Sequence, residues 1–444
     1  MKNYYDLLKK YAALTPQKIF LQFEDRAYSY LEFKEYVDRL AAAVSLPAPA
    51  AVLAWGEGIK EQAGAFFALQ KCGLLPILMH HDFSEADMLQ IIRQSSLQAL
   101  WQLKGEAGSW IKSDLPFAPH AEADIMGALT SGSTGLPKVL YRTFFSWAGF
   151  FAEQNKIFHI DSETTMFIHG SLSFTGNLNL FVSVLSEGGT LICGERLSGR
   201  SWRTLLEKHR ANSLYLVPTK LQLLAARSRE PFDGLRTIIT GSQLLTAQNI
   251  RRLQTAFPKM ELILYYGATE LNYITYAVCN DPDRDSANLG RPFPGIGVSI
   301  KDGAIYVDTP YHVSGVEIPF TCKDGGCLNE NGELIFTGRL DYVINRSGYK
   351  VNSLKVENTI KAQSGVADAV VLPYEDELRG AKIAAFVVLS SVTGTEAASE
   401  AECTKAIHKA LHPQEIPNDI IFVKKIPLND RGKPDKGKLK NLLK

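Results

Sequence analysis

Two patterns of apolar positions run through the first 120 residues and predict strands that alternate with helices. Short apolar runs predict strands, whereas apolar positions three to four residues apart predict amphipathic helices. Strands separated by helices of about 10–15 residues are typical of βαβ units in a parallel sheet. The predicted strands are a hairpin of residues 18–23 and 27–30 and then residues 51–56, 74–80 and 97–103, and the predicted helices are residues 31–44, 59–73 (closed by Gly73) and 84–96 (capped by Ser84).

The same alternation resumes beyond residue 145 and later changes to short strands. From residue 296 to 336, apolar stretches separated by turn residues predict a small antiparallel unit. The intervening pattern comprises the segment 144–158, the predicted helices 201–212 and 219–228, and the predicted strands 213–218, 235–240 and 261–267.

The pattern changes once more after the segment 338–341, GRLD. A helix, two strands and a further helix are predicted there, at residues 351–363, 366–374, 381–390 and 400–412. We therefore predict an α/β protein with a large N-terminal domain, residues 1–340, which contains βαβ-type sheets and the small antiparallel unit. A small α+β C-terminal domain is expected at residues 341–444.

Length, composition and charge narrow the class of protein. A chain of 444 residues exceeds the roughly 250–300 residues of a single core, so two or three domains are expected. Hydrophobic residues at 45% and charged residues at 21% are typical of soluble globular proteins, and a net charge of +1 does not favour nucleic acid or an acidic membrane as partner. No apolar run approaches the roughly 20 residues of a membrane span, which predicts a cytoplasmic location. The six scattered cysteines are expected to be free thiols rather than zinc ligands.

The segment LTSGSTGLPK, residues 129–138, is a candidate phosphate-binding loop. Small residues let backbone N–H groups approach an anion, the hydroxyl groups can donate to phosphate oxygens, and Lys138 adds positive charge. The segment lacks the Gly-Lys-Ser/Thr ending of the Walker loop, because Pro137 precedes the lysine and Val139 follows it. A flexible surface loop is the alternative interpretation.

The segment YYGATE, residues 265–270, follows an apolar strand, and ligands of open α/β sheets bind at strand ends. An aromatic ring can stack on a base, Thr269 can reach a phosphate, and Glu270 can hold Mg²⁺, which prefers oxygen ligands. A tight turn with a capping glutamate is an equally good interpretation of this segment alone.

Two further segments carry polar groups that would suit a nucleotide. An acid such as Asp324 can bind ribose hydroxyls, and an arginine such as Arg339 can bind phosphate, although a surface turn with an ion pair is the simpler interpretation. Near the C-terminus, Lys433 follows a glycine in a basic stretch that could instead be a solvated tail.

These four segments, in this order, resemble the adenylate-forming superfamily of acyl-CoA synthetases, carrier-protein-loading adenylation domains and luciferases. The resemblance covers about residues 15 to 440 and includes the segments 289–295 and 348–357. It implies an enzyme in which a carboxylate attacks the α-phosphate of ATP, pyrophosphate leaves, and a thiol then attacks the acyl-adenylate. It also implies a C-terminal domain that rotates between the two half-reactions, with Asp341 at the hinge.

The resemblance also implies a role for each matching residue. Thr269 and Glu270 would lie at phosphate and Mg²⁺, Lys433 would stabilise the adenylation transition state, and Tyr266 would stack on adenine. The further implied contacts with the nucleotide are Thr130, Ser131, Gly132, Ser133, Thr134, Gly135, Lys138, Gly241, Gly267, Asp324 and Arg339.

The chain departs from the family pattern at several positions. Where the family usually has glycine after the loop lysine, this chain has Val139, and where the family has histidine five residues further on, this chain has Phe144. Where the family has a Thr-Gly pair before the ribose-binding acid, this chain has Cys322 and Lys323. Leu264 replaces an amide residue before the stacking aromatic.

The nature of the acid follows from one position. Amino-acid-activating members of the family place an aspartate there to pair with the substrate ammonium, and this chain has Thr175 in the segment 172–177. A neutral side chain cannot offset the cost of desolvating an ammonium group. We therefore predict a non-amino carboxylic acid, fatty or aromatic, in a pocket walled by residues 172–177, 240–243 and 267–268.

The thiol acceptor has two candidates. CoA would make the chain an acyl-CoA synthetase, and the phosphopantetheine of an acyl carrier protein would make it a loading enzyme. The basic stretch 424–444 suits the phosphates of CoA and an acidic carrier equally well. A non-catalytic protein that binds acyl-nucleotides is a third possibility, which the presence of the polar motif residues disfavours.

Overall fold

The computed structural model describes residues 2–80, 82–115, 121–130, 137–195, 198–228, 230–340, 343–346, 349–376, 380–390, 399–428 and 434–443. The chain forms two compact units. The first comprises Met1–Val298 and Val307–Phe320, and the second comprises Ser299–Tyr306 and Thr321–Lys444.

The first unit contains both helices and strands. Its strands are β1 (Ile19–Gln22), β2 (Ala27–Ser29), β3 (Ala51–Gly56), β4 (Leu75–Met79), β5 (Ala99–Lys104), β6 (Ala107–Lys112), β7 (Asp124–Thr130), β8 (Lys138–Thr143), β9 (Thr165–His169), β10 (Thr190–Gly194), β11 (Ser213–Tyr215), β12 (Thr237–Gly241), β13 (Glu261–Ala268), β14 (Asn272–Val278) and β15 (Arg291–Pro292). Its helices are α1 (Tyr5–Leu14), α2 (Tyr30–Ala42), α3 (Ile59–Lys71), α4 (Glu85–Gln94), α5 (Phe145–Ala148), α6 (Phe151–Phe158), α7 (Thr175–Glu187), α8 (Gly199–Lys208), α9 (Pro218–Ala225) and α10 (Ala247–Ala256).

One sheet of the first unit has six strands in the order β6-β5-β3-β4-β7-β8. Its inner strands β5, β3, β4 and β7 are parallel to one another, and β6 and β8 are antiparallel edge strands. Capping boxes at Ser29 and Ser84 begin α2 and α4, since each serine accepts a hydrogen bond from the backbone three residues later. Gly73 follows α3 with φ of 72°, a conformation that favours glycine.

The second sheet of the first unit has nine strands in the order β15-β14-β13-β12-β11-β9-β10-β1-β2. The strands from β13 to β1 are parallel, and antiparallel strands lie at both ends. Because the parallel strands share a direction, their carboxyl ends form one edge, where ligands of such sheets bind. Helix α3 is buried along almost its whole length, and Gln62 on this helix accepts hydrogen bonds from Ser171 and Leu172 at that edge.

In its described residues, the second unit combines sheets with three α-helices. The strands of its first sheet, in the order β16-β17-β18-β19, are β16 (Gly297–Lys301), β17 (Ala304–Asp308), β18 (Asp324–Leu328) and β19 (Leu334–Arg339). The elements that follow are β20 (Val343–Arg346), β21 (Tyr349–Asn352), α11 (Ser353–Lys361), β22 (Val366–Asp376), β23 (Gly380–Leu389), α12 (Glu400–Ala410), β24 (Asp419–Phe422), α13 (Lys436–Lys440) and a 3₁₀ turn at Asn441–Leu443. An apolar core between α11, α12 and the sheet of β22, β23 and β24 includes Val356, Val371, Ala385 and Ile407.

The structure confirms the predicted α/β class, with a large N-terminal part and a small C-terminal α+β part. The pattern did not predict several elements, among them the strands β7 and β8 and helix α7. Helix α7 is buried on most sides, so its sequence lacks the amphipathic period. Within the described part of the chain, no helix has both the length and the apolar composition needed to cross a bilayer. The boundary at residues 340 and 341 stays a prediction.

Candidate functional site

The candidate phosphate loop joins two antiparallel strands. Thr130 ends β7 and Lys138 begins β8, and the two residues are paired across the hairpin. Thr130 is half-buried and Lys138 is exposed. The residues between them that were predicted to contact the nucleotide, Ser131, Gly132, Ser133, Thr134 and Gly135, lie outside the described residues.

The second motif forms the tip of another hairpin. Strand β13 extends through Ala268, so Tyr266 and Gly267 lie on the strand, and Thr269 and Glu270 form the turn to β14. A side chain at Gly267 would meet the backbone oxygen of Asn272 at 2.6 Å, so this position requires glycine. Tyr266 is half-buried and points away from the face that Tyr265 occupies, as neighbouring residues of a strand do.

The turn is held by a buried arginine that the sequence analysis did not identify. Arg142 on β8 is only 1% exposed. Its Nη2 donates to the carbonyl of Thr269 at 2.6 Å, and its Nη1 donates to the carbonyl of Tyr311 at 3.2 Å. Burial lowers the pKa of Arg142 to about 10, and Glu270 is among the groups that oppose this shift. The one sequence signal for this role was a second cation, after Lys138, on a strand of six residues.

A second contact holds the same turn. The backbone N–H of Val313 donates to the carbonyl of Glu270 at 2.9 Å. Both carbonyl groups of the Thr269–Glu270 pair are therefore engaged by the surrounding structure. This arrangement fixes the backbone from which the two side chains project.

The position predicted to select the acid lies beside this turn. Thr175 begins α7, and its Oγ1 is 3.4 Å from Oγ1 of Thr269. Beneath the next residue, Gly176, the hydroxyl groups of Tyr215 and Tyr265 are 2.8 Å apart. A Cβ at Gly176 would lie 2.3 Å from the Tyr215 hydroxyl, so glycine is needed for α7 to approach the sheet.

The segment 240–243 lies at the carboxyl end of the adjacent strand β12. Thr240 is buried and donates to the carbonyl of Leu216 at 2.8 Å. A side chain at Gly241 would meet the ring of Tyr265 at 2.5 Å. The structure thus brings Thr175, Gly241 and the β13–β14 turn to one edge of the nine-stranded sheet.

The predicted ribose and phosphate contacts of the second unit are neighbours. Asp324 on β18 and Arg339 on β19 are paired across the sheet, and Nε of Arg339 is 3.7 Å from Oδ1 of Asp324. Asp324 is buried, and Nη2 of Arg339 donates to the carbonyl of Cys322 at 3.2 Å. Lys323 has φ of 60°, so the departure from the family glycine keeps the left-handed backbone that glycine favours.

The predicted catalytic lysine, Lys433, and the predicted hinge residue, Asp341, lie outside the described residues. Among the residues that the structure describes, no three His, Cys, Asp or Glu side chains cluster closely enough to hold a metal ion. Glu270 can still offer one carboxylate, and Mg²⁺ is commonly held by one or two carboxylates together with substrate phosphates.

Similarity to known proteins is consistent with this arrangement. An uncharacterized acyl-CoA ligase YhfT of Bacillus subtilis is 29% identical over 71% of this chain and 67% of its own length. A putative long chain fatty acid-CoA ligase VraA of Staphylococcus epidermidis is 23% identical over 99% of this chain and 98% of its own. An L-proline–[L-prolyl-carrier protein] ligase of Streptomyces coelicolor is 27% identical over 69% of this chain and 64% of its own.

A solved structure and two family models agree with these relatives. The o-succinylbenzoate CoA synthetase of Bacillus subtilis, solved with ATP and a magnesium ion, matches with a TM-score of 0.82 and 20% identity over 98% of this chain and 99% of that one, which shows the fold. The family model "AMP-binding enzyme" matches residues 118–316, and that of the "AMP-binding enzyme C-terminal domain" matches residues 355–433. Because these two models together match more than half of the chain, and because its motifs occur in the same order, the chain belongs to the AMP-binding enzymes, the adenylate-forming family.

Proposed function

We propose that this enzyme uses ATP and Mg²⁺ to activate a fatty or aryl acid without an α-amino group, and then transfers the acyl group to CoA. In the first step a carboxylate oxygen attacks the α-phosphorus of ATP, and the bond to pyrophosphate breaks. The product is an acyl-adenylate. In the second step the CoA thiolate attacks the acyl carbon, and AMP leaves.

The observation that carries this proposal is the 3.4 Å contact between Thr175 and Thr269. This contact supports the proposal because a reaction between carboxylate and α-phosphate requires the residue proposed to select the acid to lie near the motif proposed to bind the phosphates. Thr175 is uncharged, so an ammonium group at this position would lose water without gaining a carboxylate partner. An acid without that group has no such penalty.

Catalysis would come from positioning and from cancelling negative charge, since a carboxylate is a poor nucleophile toward a polyanion. Glu270 would hold Mg²⁺, which would neutralise charge on the phosphates. The loop residues 131–135 and Lys138 would bind the β- and γ-phosphates, while Gly241 and Gly267 would let the backbone approach the nucleotide. Tyr266 would stack on adenine, and Asp324 and Arg339 would bind ribose or phosphate.

CoA is the preferred acceptor because two of the relatives described above are named as CoA ligases. The relative named as a prolyl-carrier ligase keeps a carrier protein as the alternative. Incubation of the acyl-adenylate with CoA and, separately, with phosphopantetheinylated carrier protein distinguishes them by mass spectrometry. Thioester on the carrier alone would replace the CoA proposal with the loading function.

Acid-dependent exchange of pyrophosphate into ATP tests the first half-reaction. We expect exchange with fatty or aryl acids, little with ordinary α-amino acids, and none in excess EDTA. Glu270→Gln should reduce exchange by about 10²–10³-fold, since it removes a charge aimed at Mg²⁺. Glu261→Gln, a matched change at the other end of β13, should have little effect. Exchange that survives EDTA, or an equal effect of both variants, would contradict the proposal.

A second experiment separates the two half-reactions. Lys433 is expected to stabilise only the adenylation transition state, while the C-terminal domain is closed in its first conformation. Lys433→Ala should lose about 10²–10³-fold in exchange yet still form thioester from supplied acyl-adenylate. Lys440→Ala, on an exposed position of α13, is the control. Equal losses in both half-reactions would show that Lys433 does not act at one stage only.

A further inference from the structure

A lysine and a histidine form an unusual pair at the carboxyl edge of the nine-stranded sheet. His169 ends β9, and Lys220 lies in the first turn of α9, which follows β11. Nζ of Lys220 is 3.0 Å from Nδ1 of His169. Because an ammonium group can only donate, Nδ1 must be the acceptor, and the histidine is neutral.

The positive charge of Lys220 has no carboxylate beside it in the part of the chain that the structure describes. No ion pair joins Lys220 to an acidic side chain among those residues, and burial alone lowers the pKa of Lys220 to about 8. Burial and the neighbouring Lys220 lower the pKa of His169 to about 3. The first turn of a helix also disfavours a cation, because the helix dipole is positive there. The position therefore favours an anion from outside the chain.

The ammonium group of Lys220 lies beside Gly170 and Asn177. Gly170 follows His169, and a Cβ at Gly170 would lie 3.2 Å from both Nζ of Lys220 and Nδ2 of Asn177. Nδ2 of Asn177 donates to the carbonyl of His169 at 3.5 Å, so Lys220 is the group that would meet an anion here. Nδ2 of Asn177 also donates to the carbonyl of Ser171 at 2.9 Å, which fixes its position.

The pair borders the wall predicted for the acid. Asn177 lies two residues after Thr175 on α7, and the carbonyl of Leu216, four residues before Lys220, accepts the hydrogen bond of Thr240. Strands β11 and β12 separate β9 from β13, so three strand spacings of about 4.8 Å place the pair roughly 14 Å across the sheet from the Thr269 hairpin. This distance suits the two ends of one extended acid.

We propose that Lys220, held by His169, binds a second anionic group of the acid, so that the substrate is a dicarboxylic acid activated at one end. This inference rests on the proposed function and narrows its substrate class. The reacting carboxylate would lie near Thr175 and Thr269, and the distal carboxylate would pair with Lys220. An acid without a distal charge would leave the ammonium group uncompensated.

The test compares acids that differ only in the distal charge. Succinate, adipate, suberate and sebacate are assayed in pyrophosphate exchange against their monomethyl esters and the monocarboxylic acids of equal length. We expect at least one diacid to exceed its monoester by about 30-fold or more in kcat/KM, because a desolvated charge would otherwise be unpaired. Most of this difference should appear in KM, since the distal contact is equal in the ground and transition states.

Variants of Lys220 locate the effect. Lys220→Met should abolish the preference for the diacid while retaining exchange with the monoester, and Lys220→Arg should retain much of the preference. Lys259→Met, which removes a lysine whose side chain is 68% exposed, should leave the preference unchanged.

The outcomes separate this inference from the proposed function. Absence of exchange with every acid would overturn the proposed function, and with it the inference. Exchange that is as fast with monoesters as with diacids, or a diacid preference that survives in Lys220→Met, would overturn the inference alone. The acid panel on the unaltered enzyme distinguishes these outcomes even if a variant does not fold.

Discussion

Two lysines, one in each unit, show how differently a protein can surround a half-buried ammonium group. Lys361 in the second unit lies 3.0 Å from Glu357 and 3.1 Å from Asp368, and these carboxylates raise its pKa in spite of burial. Lys220 in the first unit has a neutral histidine as its neighbour, and its pKa falls to about 8. The first environment compensates the positive charge, whereas the second leaves it without a carboxylate among the described residues.

Arg142 belongs with Lys220 in this comparison. It is fully buried, and burial lowers its pKa to about 10. Among the residues that the structure describes, its guanidinium group donates to two backbone carbonyls rather than to carboxylates. Both cations lie in the unit that carries the Thr269–Glu270 turn. Arg142 uses its guanidinium group to hold that turn, whereas the described hydrogen-bond partner of Lys220 is a neutral histidine.

The largest effect is expected from Arg142→Met. The Thr269–Glu270 turn would lose its buried anchor, and a displacement of even 1 Å can reduce activity by about 10²-fold. The measurement is kcat/KM for pyrophosphate exchange together with the Mg²⁺ concentration for half-maximal rate, which should rise if Glu270 is displaced. Arg203→Met is the control, since Arg203 is also mostly buried but pairs with Glu207 at 2.6 Å.

Arg142→Lys sharpens the same prediction. A lysine keeps the charge but cannot reach two carbonyls with a planar fork, so little activity should return. Full activity in this variant would show that charge rather than geometry matters at this position.

Lys361→Met should produce the next largest effect. Glu357 and Asp368 would be left without their shared partner, and Glu357 also accepts from the backbone of Val371. Because the Lys361 side chain is 32% exposed, solvent screening limits the loss to about 1–2 kcal/mol in free energy of unfolding. Calorimetry measures the change, and Lys361→Arg should recover most of it. An unchanged or raised stability would contradict the structural role assigned to Lys361.

Lys220→Met should change the free energy of unfolding in the opposite direction from Lys361→Met. Removing an uncompensated ammonium group relieves its desolvation, so the free energy of unfolding should rise by about 1 kcal/mol. The surface change Lys259→Met should stay within about 0.5 kcal/mol. A loss of stability in Lys220→Met would show that the lysine is a structural group and would remove the contrast with Lys361.

The pH dependence of stability gives the smallest and most selective effect. Between pH 8 and 9 the folded Lys220 loses its proton while the unfolded lysine, with an ordinary pKa near 10.5, keeps it. The unfolded state then binds more protons, so stability should rise with pH, by up to about 1 kcal/mol in this interval. Lys361 is protonated in both states there, since its folded pKa is raised.

Chemical denaturation at pH 8 and pH 9 measures this contribution. The difference in free energy of unfolding between the parent and Lys220→Met should change with pH. The corresponding difference between the parent and Lys361→Met should not. Parallel behaviour of the two variants would contradict the assigned pKa directions.

Much of the local structure could be predicted, because it depends on neighbours in the sequence. The hairpin of β1 and β2, the capped helices α2 and α4, and the helices and strands of the C-terminal part follow from apolar period and terminal residues. The strands on either side of the loop 131–136 were not predicted, because their pairing depends on sheet partners. Gly267 was matched by motif, and only the close approach of Asn272 explains why it must be glycine.

The sequence by itself determined the α/β class, the order of the motifs and the family, since each is carried by short contiguous segments. The tertiary structure decided which side chains meet. Arg142 reaches Thr269 from 127 residues away, and Lys220 meets His169 from 51 residues away. No local pattern reports such contacts, because the cost of burying a charge depends on what the fold places around it.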